Sequence, residues 1–257
     1  MAAKIANRIV RLEAKGCEML SDRRQRVLAA LIDEYVAHAL PVGSRTLTER
    51  YELGVSPATV RNELSVLEYE GYLSQPHTSA GRIPTDVGYR AFVDDLVANG
   101  AVRDDEQSRE AINKLRNSAR ELDELLAQTS SALTRLTDCL SIVMTADISR
   151  SRRLGMSALM RKPEFATSAA LLPIMQVLED DTVLLHILDA SVPEDDTPSV
   201  RIGSENEAEQ LSGVSVVASR YGSGEMSGIV AVIGPTRMDY SKVLQAVRIA
   251  SKALGDD

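Results

Sequence analysis

Between Asp22 and Ala39, Val27, Leu28, Leu31, Ile32, Tyr35 and Val36 recur at helical spacing, while Arg23, Arg24, Arg26 and Glu34 fall elsewhere. That alternation predicts an amphipathic helix with Ser21 as its N-cap. Pro41-Val42-Gly43 interrupts it, and Ser44 is expected to cap a short second helix to about Tyr51, with Leu47 and Tyr51 on the inner side. Leu53-Gly54-Val55 reads as a turn in which Gly54 supplies the left-handed conformation that ends a helix. Ser56-Pro57 opens a third helix, a capping hydroxyl followed by a proline at the first helical position, where no N–H is needed. Val60, Leu64 and Leu67 form its buried stripe and Gly71 closes it. A short strand at Tyr72-Leu73-Ser74 follows, then a polar loop from Gln75 to Arg82, then Ile83-Pro84. Thr85 caps a fourth helix that turns Tyr89, Phe92, Val93 and Leu96 inward.

The rest of the chain has a different pattern. Asp104 to Thr137 is charged and helical, with Ile112, Leu115, Ala119, Leu122, Leu125 and Leu126 as its apolar side; it is expected to be a connector or a dimer-forming helix. The Ser/Thr-rich run Ala127–Leu136 is expected to fray or bend. Leu140–Met144 reads as a strand and Leu171–Leu178 as a short helix ending in the acidic turn Glu179-Asp180-Asp181. Thr182–Leu188 fits either helix or strand. Val214–Tyr221 and Ile229–Ile233 flank a Gly/Ser turn and read as a hairpin, and Asp239–Leu254 as a closing amphipathic helix.

Composition narrows the class. The 257 residues are 44% hydrophobic, enough for a packed core, most simply in two domains. No run approaches the roughly 18 apolar residues of a membrane span, and the charged N-terminus lacks a signal peptide's apolar stretch. A cytoplasmic protein with no membrane partner is expected. Cys17 and Cys139 lie far apart, as do His38, His77 and His186, so neither a metal site nor a cofactor is expected. The net charge of −8 weighs against nucleic acid as a partner, because Lys and Arg supply phosphate affinity. The acid lies mostly downstream, however: Met1 to Asn62 carries ten basic against seven acidic side chains.

Helix, short helix, helix, strand and polar loop is the order of a winged helix-turn-helix, which lays its second motif helix in the major groove. The outward face of Pro57–Glu70 would present Thr59, Arg61, Asn62 and Ser65. Arg bonds guanine O6 and N7 together, Asn does the same with adenine N6 and N7, and Ser or Thr reaches bases or phosphates. Ser56, with Ser44, Arg45 and Thr46, marks helix starts whose free N–H groups suit phosphate oxygens. His77, Thr78, Ser79 and Arg82 would form the wing tip on the backbone or in the minor groove. An exposed Arg-Asn pair is equally compatible with a plain solvated surface; the ordered combination favours DNA.

Three stretches closely resemble the DNA-binding domain of the heat-inducible transcription repressor HrcA family: Pro41–Leu47, Leu53–Glu63 and Gln75–Thr85. Arg161–Phe165, Ile202–Asn206, Ser215–Ala218 through Tyr221, and Ile233–Tyr240 are similar to that family's GAF-like C-terminal domain. The resemblance implies a homodimer on double-stranded DNA at an inverted-repeat operator, called CIRCE, upstream of chaperone genes. It also implies a GroEL-type chaperonin that maintains the repressor, so that heat stress releases repression. After Ala146 this chain passes through Asp147–Arg153 almost directly to Leu154-Gly155-Met156, where the family continues with more GAF-like core and an inserted dimerisation domain. The insert, with part of the sheet, is therefore expected to be absent, so that dimerisation uses another surface, such as the Asp104–Thr137 helix, or is weaker.

The expected fold is α+β: a winged helix-turn-helix with an N-terminal helical extension over 1–98, a helical connector over 99–137, and a shortened GAF-like domain over 138–257. Arg150, Arg152 and Arg153 are read as a solvated loop, with DNA contact as the alternative. Glu205, Arg237, Asp239 and Tyr240 invite a ligand-pocket reading, but no nucleophile–base pair or phosphate-cradling loop accompanies them, and no enzyme activity is expected. Gly234-Pro235 is more simply a strand-to-helix turn and Asp239 a helix-start charge. Two other functions stay open: a metabolite-sensing winged-helix regulator and a winged-helix protein-interaction module.

Overall fold

A computed structural model describes residues 20–77, 80–99, 122–192, 197–224 and 227–255. The N-terminal extension with Cys17, the wing-tip residues Thr78 and Ser79, and the connector positions Ile112, Leu115 and Ala119 lie outside the described residues.

The first unit contains α1 (Asp22–His38), α2 (Ser44–Arg50), α3 (Pro57–Tyr69), the two-residue strands β1 (Leu73–Ser74) and β2 (Ile83–Pro84), and α4 (Asp86–Ala98). Val27, Leu28, Leu31, Ile32, Leu47, Val60, Leu64, Leu67, Leu73, Tyr89 and Val93 are all buried in one core. The third helix starts as its sequence predicts: Ser56 Oγ accepts from Thr59 N at 3.2 Å with Pro57 at the first position. Thr85 likewise caps α4 by accepting from Gly88 N. Two expectations need correction. Gly43, extended and without a side chain, is the N-cap of α2, so Ser44 is already inside the helix. Gly54 is left-handed, at φ +68°, but α2 has ended at Arg50, so Gly54 shapes the following turn rather than the helix end.

The second unit is a five-stranded antiparallel sheet. Its strands are β3 (Leu140–Thr145), β4 (Ser151–Leu154), β5 (Ser199–Ile202), β6 (Val214–Tyr221) and β7 (Gly228–Pro235), in the order β4-β3-β7-β6-β5. Helices cover both faces, so strand residues are buried on alternate sides. Leu140, Ile142, Met144, Ile229, Ala231 and Ile233 face α6 (Met156–Met160), α7 (Ser168–Glu179) and α8 (Asp181–Ser191). Val143, Val217, Val230 and Val232 face α5 (Leu122–Thr137) and α9 (Tyr240–Gly255), and this core continues into the first unit. The predicted hairpin is the β6–β7 pair. The sheet as described runs unbroken from β4 to β5, and Asp147 closes the β3–β4 turn by accepting from Thr145 Oγ1 at 2.6 Å and Ser149 N at 3.0 Å.

Three segments differ from expectation or resolve an ambiguity. Ala127–Leu136 neither frays nor bends; it lies within α5, where two of its hydroxyls, those of Ser130 and Thr134, have partners on the sheet. Ser141 on β3 meets Ser130 Oγ and Thr134 Oγ1, each at 2.8 Å. Thr182–Leu188 is helix, since Asp180 Oδ1 accepts from Thr182 N and Val183 N and thereby starts α8. The arginine run is no solvated loop: Ser151–Leu154 is the edge strand β4, with Arg150 and Arg152 paired to Asp123 and Arg153 to Asp181.

Candidate nucleic-acid interface

α3 is held by burial on one side and by ion pairs around its flanks. Val60, Leu64 and Leu67 are fully buried, which turns Arg61, Asn62 and Ser65 outward, and all three are exposed. The helix's carboxylates point elsewhere. Glu63 accepts from Arg24 of α1 at 3.2 Å, and Glu70, just past the helix, also pairs with Arg24, at 3.3 Å. Glu68 accepts from Arg82 Nε at 3.0 Å. Arg23 also lies 3.7 Å from Glu63, so Arg23, Arg24 and Arg82 together balance the three carboxylates Glu63, Glu68 and Glu70. That is how, in a chain of net charge −8, the carboxylates of α3 are kept from opposing a phosphate backbone.

The expected site residues occupy three levels around this face. At the helix start, Ser56 Oγ and Thr59 Oγ1 lie 3.0 Å apart; Ser56 is exposed and Thr59 half-buried. Along the helix, Ser65 Oγ donates to Arg61 O at 3.0 Å. On α2, Arg45 is exposed while Ser44 and Thr46 are half-buried. Neither Arg45 nor Arg61 has an ion-pair partner among the described residues.

The wing is tied back onto the helix-turn-helix. Arg82 N donates to Val42 O and Val42 N to Arg82 O, each at 2.9 Å, joining the wing base to the break between α1 and α2. Gln75 Nε2 closes the loop onto Ala80 O at 2.7 Å. His77 is exposed at the near side of the tip. Arg82, expected at the wing tip, is instead at its base: its side chain is only 16% exposed and bonds Glu68, with Nη2 3.4 Å from Ser65 Oγ. Its chain position after the loop is the reason, because the return limb runs beside α3.

The C-terminal group read as a possible ligand pocket is taken up elsewhere. Glu205 pairs with Arg90 of α4, and Arg237 pairs with Glu164 and donates to Val36 O at 3.2 Å. Asp239 Oδ1 accepts from Lys242 N at 3.1 Å, a helix-start role. Tyr240 is buried against Ser215 Oγ at 2.7 Å. Burial drives its phenol strongly upward in pKa, so it stays protonated. The contacts of Glu205 with Arg90 and of Arg237 with Val36 O join different units, which spacing along the chain does not carry. Asp239 bonds only three residues ahead, a range the sequence does show.

Residues 152–244 match the pattern described as HrcA protein C terminal domain. The chain is 32% identical to the heat-inducible transcription repressor HrcA of Streptomyces avermitilis, over 92% of this chain and 98% of that one. The chain belongs to the heat-inducible transcription repressor HrcA family. It is accordingly a negative regulator of transcription. The HrcA of Frankia casuarinae is also 32% identical, over 93% of this chain and 98% of its own. These alignments extend over 336 and 339 residues, more than the 257 of this chain, so the family relatives carry sequence with no counterpart here. A solved structure, described as a hypothetical protein at 2.2 Å resolution, shares the fold with a TM-score of 0.76. It is 19% identical and is covered over 97% of its length, against 91% of this chain. Among the described residues no helix is long and apolar enough to cross a membrane.

Proposed function

We propose that the protein represses chaperone genes in the cytoplasm by binding a CIRCE-type inverted-repeat operator as a homodimer, with α3 of each copy in a major groove. The observation that carries this reading is the α3 face itself. Arg61, Asn62 and Ser65 are exposed together, while Glu63, Glu68 and Glu70 are each bound by an arginine. Arg61 and Asn62 read base edges; Ser56, Thr59 and Ser65 hold the helix start and adjacent phosphates. Ser44, Arg45 and Thr46 contact the backbone from α2, and His77, Thr78 and Ser79 do so from the wing. Arg82 acts through Glu68 to position that wing. A GroEL-type chaperonin sustains the repressor, and heat releases it. No cofactor or catalysis enters.

The division into 1–98, 99–137 and 138–257 belongs to the same proposal, with the last stretch of the connector, α5, packed on the sheet. We place the relatives' additional sequence at the Asp147–Arg150 turn, where β3 and β4 are joined most directly. Dimerisation then uses a surface other than an inserted domain.

A second reading, gating by a small metabolite, is favoured by a cavity of about 510 Å³ lined by Thr182, His186, Asp189, Arg220 and Tyr221. A panel of metabolites that raises the protein's thermal stability would support it. For the main reading the test is binding to an inverted-repeat duplex at several salt concentrations. Phosphate contact makes log affinity fall with log salt at about −0.9 per contact. A flat response removes DNA as the partner and leaves a protein-interaction module.

A further inference from the structure

The recognition unit is locked to the C-terminal domain on the side that its DNA face does not use. Arg90 of α4 lays its guanidinium fork on Glu205, Nε at 2.8 Å from Oε1 and Nη2 on Oε2, and Nη2 also donates to Val200 O at 2.7 Å. Glu205 is itself held, accepting from Ile202 N at 2.9 Å. One turn earlier, Asp86 accepts from both Ser204 N and Ser204 Oγ at 3.1 Å. Gly203 makes this approach possible: its φ is +52°, and a side chain there would run into the Asp86 carboxylate. Arg237, before α9, reaches Val36 O of α1 while its other side pairs with Glu164. Between these polar points Tyr89 and Tyr240 pack with ring centroids 5.8 Å apart.

These contacts reach α1 and α4 at separated points, so they restrain rotation as well as distance. They involve none of Arg61, Asn62 or Ser65. A two-pronged arginine–carboxylate pair adds directional specificity that a point charge lacks. Arg90 and Glu205 are both about one-third exposed, so solvent screens them only in part.

We infer that this clamp, with Arg90 and Glu205 as positioning residues, sets the angle of α3 against the C-terminal domain and so selects the half-site spacing that a dimer accepts. The inference rests on the reading of the protein as a dimeric operator binder. Half-sites on one face of DNA lie about 10–10.5 base pairs apart, or a multiple of that, and a rigidly held pair of heads tolerates little departure. Loosely tethered heads tolerate more.

The experiment compares the full-length protein with Glu205→Gln and, at an independent clamp point, Arg237→Gln. Each is titrated with a duplex carrying one half-site and with inverted repeats whose spacing changes by single base pairs. The expected wild-type result is a preference for one spacing of about tenfold, equivalent to 1.4 kcal/mol. Both variants are expected to bind the single half-site as the wild type does and to lose most of the spacing preference. Preference retained in both variants overturns the inference. So does a parallel loss of half-site and spaced-repeat binding, which marks general destabilisation. A wild type that binds the half-site without any spacing preference also overturns it, leaving DNA binding intact. A wild type that binds no half-site removes the operator reading and the clamp's role with it.

Discussion

Arg82 and Glu68 are joined at 3.0 Å between the base of the wing and the outer flank of the recognition helix, while the Arg82 backbone pairs with Val42. One residue therefore aligns the wing, α3 and the break between α1 and α2. Arg61, one turn from the start of the same helix, is exposed and has no such tie. The two arginines should fail differently. Arg61→Ala is expected to cost about 1–3 kcal/mol and to relax discrimination at one operator position per half-site. Arg82→Ala should weaken all operator sequences alike. Competition binding with a set of single-base operator variants separates the two patterns, and the reverse assignment would show that Arg82 reads the base.

The hydroxyl triad of Ser130, Thr134 and Ser141 joins α5 to β3. Ser130 and Ser141 have no solvent exposure. Ser141→Ala removes the shared partner and leaves two hydroxyls without it, so a loss of about 1–3 kcal/mol in stability is expected. Urea unfolding of the variant measures this; an unchanged midpoint would mean that the helix hydroxyls rebond elsewhere at no cost.

Cys139 precedes β3 and is almost completely buried, and burial pushes its thiol up to about 11. The nucleophilic thiolate is scarce at pH 8. Iodoacetamide should therefore leave Cys139 unmodified in the folded protein and label it in denaturant, as peptide mass analysis will report. Rapid labelling of the native protein at this residue would contradict the packing around Gly234, whose backbone closes over the Cys139 sulfur.

Asp147 is held down to about 2, first by the Thr145 hydroxyl and then by the Ser149 N–H and hydroxyl. A carboxyl lowered in the folded state favours folding above its ordinary value of 3.8, and that contribution disappears as pH falls through about 2. Asp147→Asn should remove this part of the acid dependence, flattening the stability profile between pH 4 and 2. A profile that keeps the wild-type slope there would assign the acid sensitivity to other carboxylates.

How far the sequence could be read depended on the range of each interaction. Ser56-Pro57 and Thr85 act on N–H groups three residues away, so those two caps are legible from neighbours alone. Asp180, by contrast, reads in the sequence only as part of a turn, and Ser44 reads as a cap that Gly43 supplies. The buried stripe Val60, Leu64 and Leu67 determines by periodicity which way Arg61 and Asn62 face. Ala127–Leu136 misled because Ser and Thr usually weaken a helix by competing for its backbone; here Ser141 on the adjacent strand occupies the hydroxyls of Ser130 and Thr134.

By itself, then, the sequence determined the winged helix-turn-helix order and the outward side of α3, which rest on local spacing, and the family resemblance, which rests on short matching motifs. Only the tertiary structure decided that Arg82 belongs to Glu68, that Glu63 and Glu70 belong to Arg24, and that Arg90 grips Glu205 across 115 residues of chain. Charge partners are chosen by proximity after packing, and side chains of one sign are interchangeable until the core has brought particular pairs within reach.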